Sequence, residues 1–298
     1  MNKKFKKLLP GVRESISLKN YSTFKIGGKA RYFFVAKNKE ELIKSANLAK
    51  DFKLSLFILG NGSNLLVADK GFKGVIIKAQ MTKTKCQNNT IYAEAGVTLG
   101  QLVIIASKNN LASLEWAVGI PGTLGGAIYG NAGAFGQSMA DIVGEVEVYD
   151  VKNKETKTLK NKNCQFNYRK SIFKKNRNLI IISARLNLKK GNEKKIRAKI
   201  REYLIYRAKT QPLNFPSIGS IFKNPSLAHP ALLQKGRIMA GRGFFAAELI
   251  EKCGLKGKKI GDVKVSEKHA NFIINLGKGK ARDVVKLINI IKKKVKEK

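Results

Sequence analysis

The chain has 298 residues, 43% hydrophobic and 27% charged, the balance of a soluble globular protein long enough for two or three domains and a sizeable core. Its 59 Lys and Arg against 20 Asp and Glu leave a net charge of +39. The lysines are scattered over the whole length without interleaved aromatics, so the charge reads as a lysine-rich solvated surface. It argues against a specific nucleic-acid site, the non-enzyme alternative being a lysine-rich binder of nucleic acid or acidic cell-wall polymer, and leaves attraction of small anions as a side effect.

The N-terminus, MNKKFKKLLPGVRESISLKN, is basic but has no continuous apolar segment, which argues against a secretory signal. ARYFFVAK (30–37) reads as a strand, KEELIKSANLAKDFK (39–53) as a helix and LSLFILG (54–60) as a strand. LLVADKGFKGVIIK (65–78) predicts two short strands about a glycine turn, TIYAEAGVTL (90–99) a strand, and GQLVIIASKNN (100–110) a helix. From Trp116 to Ala140 no side chain is charged. That run is long enough to cross a bilayer, but Pro121, Asn131, Gln137 and seven glycines interrupt it, so it reads as a buried loop.

DIVGEVEVYDVKNKETKTLK (141–160) predicts a hairpin with residues 152–155 at its tip, and NLIIISARLNLKK (178–190) a strand. Composition shifts at residues 189–192. There a charged helix, NEKKIRAKIREYLIYRAK, opens a smaller C-terminal module. The module closes on ARDVVKLINIIKKKVKEK, a helix with an apolar stripe of Val284, Val285, Leu287, Ile288 and Ile291. Strands, helices and hairpins in this order predict α+β layers. Cys86, Cys164 and Cys253 are scattered, as reduced thiols of a cytosolic protein would be. His229 and His269 are too few for a histidine-rich metal site, and no metal is expected.

Two glycine-rich stretches carry the functional signal. LGNGSNLLV (59–67) follows a strand, and its N–H groups form a concavity suited to phosphate oxygens, with Ser63 and Asn64 adding side-chain hydrogen bonds. It leads into strand-like sequence, so a Rossmann loop, which opens a helix, is excluded. In GIPGTLGGAIYGNAGAFG (119–136), Pro121 fixes the entry, Gly122 and Thr123 offer donors, and Gly125–Gly126 permit close approach. No regular helix or strand is expected through most of this stretch. A large flat ligand with its diphosphate would pack on so neutral a strip; a structural loop without a ligand is the alternative.

Five further motifs follow in a characteristic order: YSTFKIGG (21–28), FNYRKSIFK (166–174), PSIGSIFKNP (216–225), ELIEKCGLKG (248–257) and VSEKHANFIIN (265–275). With the two loops they resemble the UDP-N-acetylenolpyruvoylglucosamine reductase family, in its shorter subclass, over residues 20–298. The resemblance implies an α+β chain. After an N-terminal segment (1–20) comes an FAD-binding fold of the vanillyl-alcohol oxidase (PCMH) type (21–190), in two subdomains of about 21–80 and 81–190. A C-terminal α+β substrate-binding domain (191–298) covers the substrate. The implied reaction is a cytoplasmic step of peptidoglycan-precursor synthesis, in which NADPH reduces FAD and the flavin reduces an enolpyruvyl ether of UDP-N-acetylglucosamine.

The same resemblance assigns FAD contacts to Gly60, Asn61, Gly62, Ser63, Asn64 and Leu65, and to Pro121, Gly122, Thr123, Gly125, Gly126, Asn131, Gly133 and Ala134. Both histidines lie in the C-terminal module and neither Cys86 nor Cys164 lies in a glycine loop, so noncovalent FAD is expected. Arg169 is the implied partner of the developing enolate, because guanidinium is permanently charged and binds carboxylates in bidentate fashion. Ser220 is the implied proton donor, a weak acid that needs a poorly solvated, basic enolate. Asn224, Lys256 and, less directly, His269 match substrate positions, Lys256 through phosphate. Tyr168 and Tyr129 either line the cavity or pack in the core, with Tyr168 assigned to the substrate.

The family's third catalytic residue, a glutamate just past the last helix, has no match here. The expectation is that it lies just beyond Lys298, an impaired enzyme or another carboxylate being the alternatives; Glu297 belongs to the preceding helix. Two departures stand out: an insertion at Ser226–Phe245, read as a surface excursion near the substrate mouth, and Asp262 where the family commonly has glycine. A rival reading is an FAD-dependent sugar or alcohol oxidase, which would not need Ser220. A monomer that neither enters a membrane nor binds specific nucleic acid is expected, with a UDP-sugar and NADPH as its small-molecule partners.

Overall fold

The computed structural model describes residues 2–225 and 245–298, and internal contacts group the chain into two units. The first is Met1–Ser17, Lys29–Gly62 and Gly71–Arg207; the second is Leu18–Gly28, Ser63–Lys70 and Ala208–Lys298. The grouping departs from chain order. Two short early segments join the C-terminal part, and the charged helix sides with the first unit as far as Arg207. The Ser226–Phe245 insertion lies outside the described residues except for Phe245.

In the first unit, α1 (Asn2–Leu8) buries Phe5. Strands β1 (Arg13–Ser17), β2 (Lys29–Ala36), β3 (Leu56–Leu59) and β4 (Phe72–Ala79) form a sheet in the order β1-β2-β4-β3. β2 and β3 both run parallel to β4, so the chain between them needs a crossover, which α2 (Lys39–Asp51) supplies. Asn38 caps α2, its side chain accepting from Glu41 N at 2.8 Å, and Leu42, Ala46 and Ala49 form its buried face. Val75, Ile76 and Ile77 of central β4 are all buried, which explains the unbroken apolar run.

A second sheet follows from β5 (Thr84–Gln87) and β6 (Thr90–Glu94), then α3 (Leu99–Lys108) with a Thr98–Gln101 capping box. After β7 (Leu111–Ala112) come α4 (Leu124–Gly130) and the β8 (Gly133–Ala134)–β9 (Gln137–Ser138) hairpin. The remaining elements are β10 (Val143–Asp150), β11 (Glu155–Lys160), α5 (Ile172–Lys175), β12 (Leu179–Asn187), β13 (Lys189–Lys190) and α6 (Glu193–Thr210). The sheet is wholly antiparallel, ordered β11-β10-β12-β6-β5. Side chains from both sheets, Ile77, Ile91, Val146 and Ile182 among them, share one core with the fully buried Trp116.

Two local expectations are corrected. Residues 65–68 join no ladder, so only one strand, β4, surrounds the glycine turn. The neutral strip contains a helix, α4, despite its glycines: Thr123 caps it and Asn131 ends it in the left-handed conformation at φ 43°. Leu124, Ala127 and Ile128 give that helix a buried face, which outweighs its poor intrinsic propensity. Among the described residues no helix is long and apolar enough to cross a membrane.

The second unit holds α7 (Ala246–Lys252), the sheet of β14 (Lys259–Ile260), β15 (Val263–Val265) and β16 (Ile273–Asn275), and α8 (Ala281–Glu297). The apolar stripe of α8 is Ala281, Val284, Leu287 and Ile291; Val285, expected in it, is 46% exposed. Helical geometry turns residue 285 about 100° away from 284, outside the contact face. The two early segments are pinned here by polar bonds. Asn275 Nδ2 donates to Phe24 O at 2.9 Å, and Asp69 accepts from the first amides of α8, Ala281 N at 2.8 Å and Arg282 N at 3.0 Å. Phe24 and Ile26 are fully buried in this unit's own core.

Candidate active site

The two glycine loops, distant in sequence, meet in the first unit. β3 delivers the chain into Gly60, Asn61 and Gly62, and Asn61 Nδ2 donates to Pro121 O at 3.2 Å. A methyl at Gly60 would overlap the Thr123 hydroxyl, so only glycine permits this approach without a shift. The buried Thr123 hydroxyl already accepts from Gly126 N at 3.4 Å as the cap of α4. Ser63, Asn64 and Leu65 continue the first loop into the segment grouped with the second unit.

Along α4 the glycines divide into two kinds. Gly125 faces inward: its N–H donates to Ala95 O at 2.9 Å, and a Cβ there would lie 2.9 Å from the Ala95 methyl. Gly126 and Gly130, one turn apart, face open space; a Cβ at Gly126 would meet only Thr123 Oγ1 at 3.5 Å, and one at Gly130 nothing within 4 Å. Helical glycine costs roughly 1 kcal/mol relative to alanine, and no packing among the described residues requires it at these two positions. An uncharged, bare helical face beside a joined pair of turns fits a flat ring system with a diphosphate.

The NYRKS turn docks at the far end of the strip. Asn167 and Lys170 exchange backbone bonds at 3.1 and 2.9 Å, which places Arg169 at φ 54° on the turn's tip. Its guanidinium donates through Nη1 to Asn131 O at 3.2 Å and through Nη2 to Gly133 O at 2.7 Å. Asn131 is buried and reciprocates, its Nδ2 donating to Asn167 O at 3.0 Å while Oδ1 accepts from Ala140 N at 3.0 Å. Arg169 is thus fastened to the segment holding Asn131, Gly133 and Ala134, and these two bonds use two of the five N–H donors of a guanidinium. Tyr168 is 49% exposed and Tyr129 41%, so neither is a core residue; the Arg169 guanidinium lies 5.4 Å from the Tyr168 ring centroid.

Ser220 lies in the second unit, exposed, bridged to Phe272. Asn271 organises its surroundings: its side chain accepts from Phe222 N at 2.8 Å and donates to Phe222 O at 2.9 Å, while its carbonyl takes Ile221 N at 2.9 Å. Asn271 N in turn donates to His269 Nδ1 at 3.2 Å. Burial holds the His269 imidazole below its ordinary range, and the Lys256 ammonium adds to that shift. Lys256 is paired with Glu251, and Asn224 Oδ1 accepts from Ala246 N at 3.1 Å, capping α7. Asp262 follows Gly261, which takes the positive φ of 52°, and its carboxylate accepts from Lys278 N at 3.2 Å. Glu297 ends α8, half exposed beside Lys293 and Lys294.

Asn271, only 3% exposed, carries no mark of its own in the sequence, although it lies in the HANF stretch of the VSEKHANFIIN motif. Another group unmarked by any motif ties α6 to the strip. Phe135 stacks on Tyr203 at 3.8 Å and meets Tyr206 edge-on at 5.4 Å. The buried Arg207 donates to Trp116 O at 3.2 Å with its guanidinium 5.3 Å from the Phe135 centroid. Its signal was a tyrosine and an arginine one turn apart in a helix that looked merely charged.

Comparisons with known proteins agree with this geometry. Residues 30–159 match the FAD binding domain model, and residues 211–298 match the UDP-N-acetylenolpyruvoylglucosamine reductase C-terminal domain model. A UDP-N-acetylenolpyruvoylglucosamine reductase of Caldanaerobacter subterraneus subsp. tengcongensis is 42% identical over 94% of this chain and 87% of its own length. The chain belongs to the UDP-N-acetylenolpyruvoylglucosamine reductase family. Another member, from Clostridium novyi, is 38% identical over 100% of this chain and 92% of its own length. The crystal structure of UDP-N-acetylenolpyruvylglucosamine reductase from Thermus caldophilus superposes with a TM-score of 0.79 at 32% identity, covering 95% of each chain. A glucose dehydrogenase, Phl p 4.0202, shares only the fold, with a TM-score of 0.53 at 13% identity over 63% of this chain and 44% of its own. The family chain is therefore an oxidoreductase of peptidoglycan-precursor synthesis with an FAD-binding domain, in an α+β fold.

Proposed function

We propose that this chain reduces UDP-N-acetylglucosamine enolpyruvate to UDP-N-acetylmuramate in the cytoplasm, taking electrons from NADPH through noncovalently held FAD. The observation that carries the reading is the junction of Gly60–Gly62 with Pro121–Thr123 beside the bare face of α4. Gly60, Asn61, Gly62, Pro121, Gly122 and Thr123 would hold the diphosphate, and Gly126, Asn131, Gly133 and Ala134 the ring side. Ser63, Asn64 and Leu65 extend the first turn, while Gly125 serves by packing on Ala95.

When bound, the flavin supplies hydride chemistry to one carbon of the enol ether. The remaining roles fall to side chains. Arg169 stabilises the negative charge that spreads into the substrate carboxylate; its fixed guanidinium gives a charge already oriented before reaction. Ser220 Oγ delivers a proton to the carboxyl-bearing carbon, so one hydride and one proton saturate the double bond. Asn224, Lys256 and His269 contact the sugar nucleotide, Lys256 exchanging Glu251 for a phosphate oxygen. Tyr168, exposed beside Arg169, borders the substrate.

The purified chain, loaded with FAD and given NADPH and UDP-N-acetylglucosamine enolpyruvate without oxygen, should oxidise the nicotinamide and yield UDP-N-acetylmuramate in equal amounts. Oxidation that proceeds only with oxygen, at a rate the enolpyruvyl substrate leaves unchanged, would refute the reading in favour of an oxidase.

A further inference from the structure

We infer that Lys78 is a binding group for the cofactor's diphosphate, a cation at the edge of the first glycine turn. The inference rests on the FAD reading and adds to it a residue that no motif marks. On β4, Lys78 pairs with Leu59 of β3, the residue immediately before Gly60. Its neighbour Ile77 points into the core, and strand alternation turns Lys78 to the other face. From there its ammonium reaches Gly60 O at 3.4 Å, a long bond to a neutral acceptor.

Lys78 is half-buried, and among the described residues no carboxylate lies within 4 Å of its nitrogen. An ammonium carries three donors, and partial burial with one weak partner is unfavourable unless an anion completes it. Burial also lowers its pKa, a cost that a phosphate oxygen would reverse. A diphosphate held by the Gly60–Gly62 amides supplies that oxygen, and hydrogen bonds between charged partners are roughly twice as strong as neutral ones.

The test is titration of the flavin-free full chain with FAD and with riboflavin, which lacks phosphate, followed by flavin fluorescence. In K78M the dissociation constant for FAD should rise about tenfold or more, the value of a charge-assisted bond, while that for riboflavin stays within about twofold. K78R should recover most of the FAD affinity. Equal losses for both ligands would show that Lys78 only fastens the turn through Gly60 O, and no loss for either would also overturn the inference. Failure of the unsubstituted chain to take up FAD would instead sink the cofactor reading. A second measurement does not depend on the variants folding: FAD, and not riboflavin, should protect Lys78 of the natural chain from amine acylation read by peptide mass spectrometry. Unchanged acylation with FAD bound would again overturn it.

Discussion

Gly60 and Thr123, 63 positions apart in the chain, are packed so closely that a methyl on the first would overlap the hydroxyl of the second. The relationship yields a test that needs no cofactor. Gly60→Ala should destabilise the chain by about 1–3 kcal/mol through overpacking. Thr123→Ala should cost about 1 kcal/mol through loss of the α4 cap. Because the second change removes the overlapping atom, the double variant should be more stable than the sum predicts by at least about 0.5 kcal/mol. Urea unfolding of the four proteins measures this directly, and strict additivity would mean that the two turns do not press on each other.

How much of this was legible beforehand follows from the range of each interaction. Local signals were readable: the helical spacing of residues 39–53, the hairpin over residues 141–160, and glycines dense enough to mark both loops. The helix within the neutral strip was not, because Leu124, Ala127 and Ile128 acquire a buried face only from the assembled core. Asn271 and Lys78 escaped for a related reason. An asparagine in a strand-like run and a lysine among 59 basic residues carry no local mark, and their partners lie 49 and 18 residues away. The detachment of Leu18–Gly28 and Ser63–Lys70 from their sequence neighbours depends on Asn275 and Asp69, contacts that span more than 200 residues.

Arg169 offers a test of fork geometry against charge. Arg169→Lys keeps the charge but loses the planar fork that spans the carbonyls of Asn131 and Gly133 and, on the proposed role, meets the substrate carboxylate. Turnover with the enolpyruvyl substrate should fall about a hundredfold, the order expected when a preorganised donor is lost. Reduction of the bound flavin by NADPH, measured by stopped flow without the second substrate, should change little. A turnover near the natural value would show that charge alone suffices.

Ser220→Ala separates the two half-reactions more sharply. The hydroxyl is exposed in the second unit, so its removal leaves no cavity and little effect on stability is expected. Flavin reduction should survive, whereas product formation should drop by about 10²–10⁴, the usual range for a positioned acid. If both half-reactions run at the natural rate, the proton comes from elsewhere.

Asn271 should behave as a positioning residue for that serine. Asn271→Ala leaves Phe222 N–H and C=O without their partner, at a cost of about 1–3 kcal/mol for each group kept from water. The expected signature is a lowered melting temperature together with slowed product formation. On the proposed roles, flavin reduction should proceed unaltered. A variant that melts early yet forms product at the natural rate would confine Asn271 to stability.

His269 sets the sign of the acid response. Burial is the main cause holding its pKa under the ordinary 6.5, with the Lys256 ammonium acting the same way. The unfolded chain therefore takes up a proton near pH 6.5 before the folded chain does, so acid favours unfolding. The stability contributed by neutral His269 is complete above about pH 6.5 and falls as pH drops from there through the lower folded value. Protonation also removes the Nδ1 lone pair that accepts from Asn271 N, so acid loosens the residue that grips the Ser220 loop. Denaturant midpoints should then decline between about pH 7 and 5 in the natural chain and decline less steeply in His269→Gln. Identical slopes in the two proteins would mean that other groups govern the response and that this imidazole is already solvated.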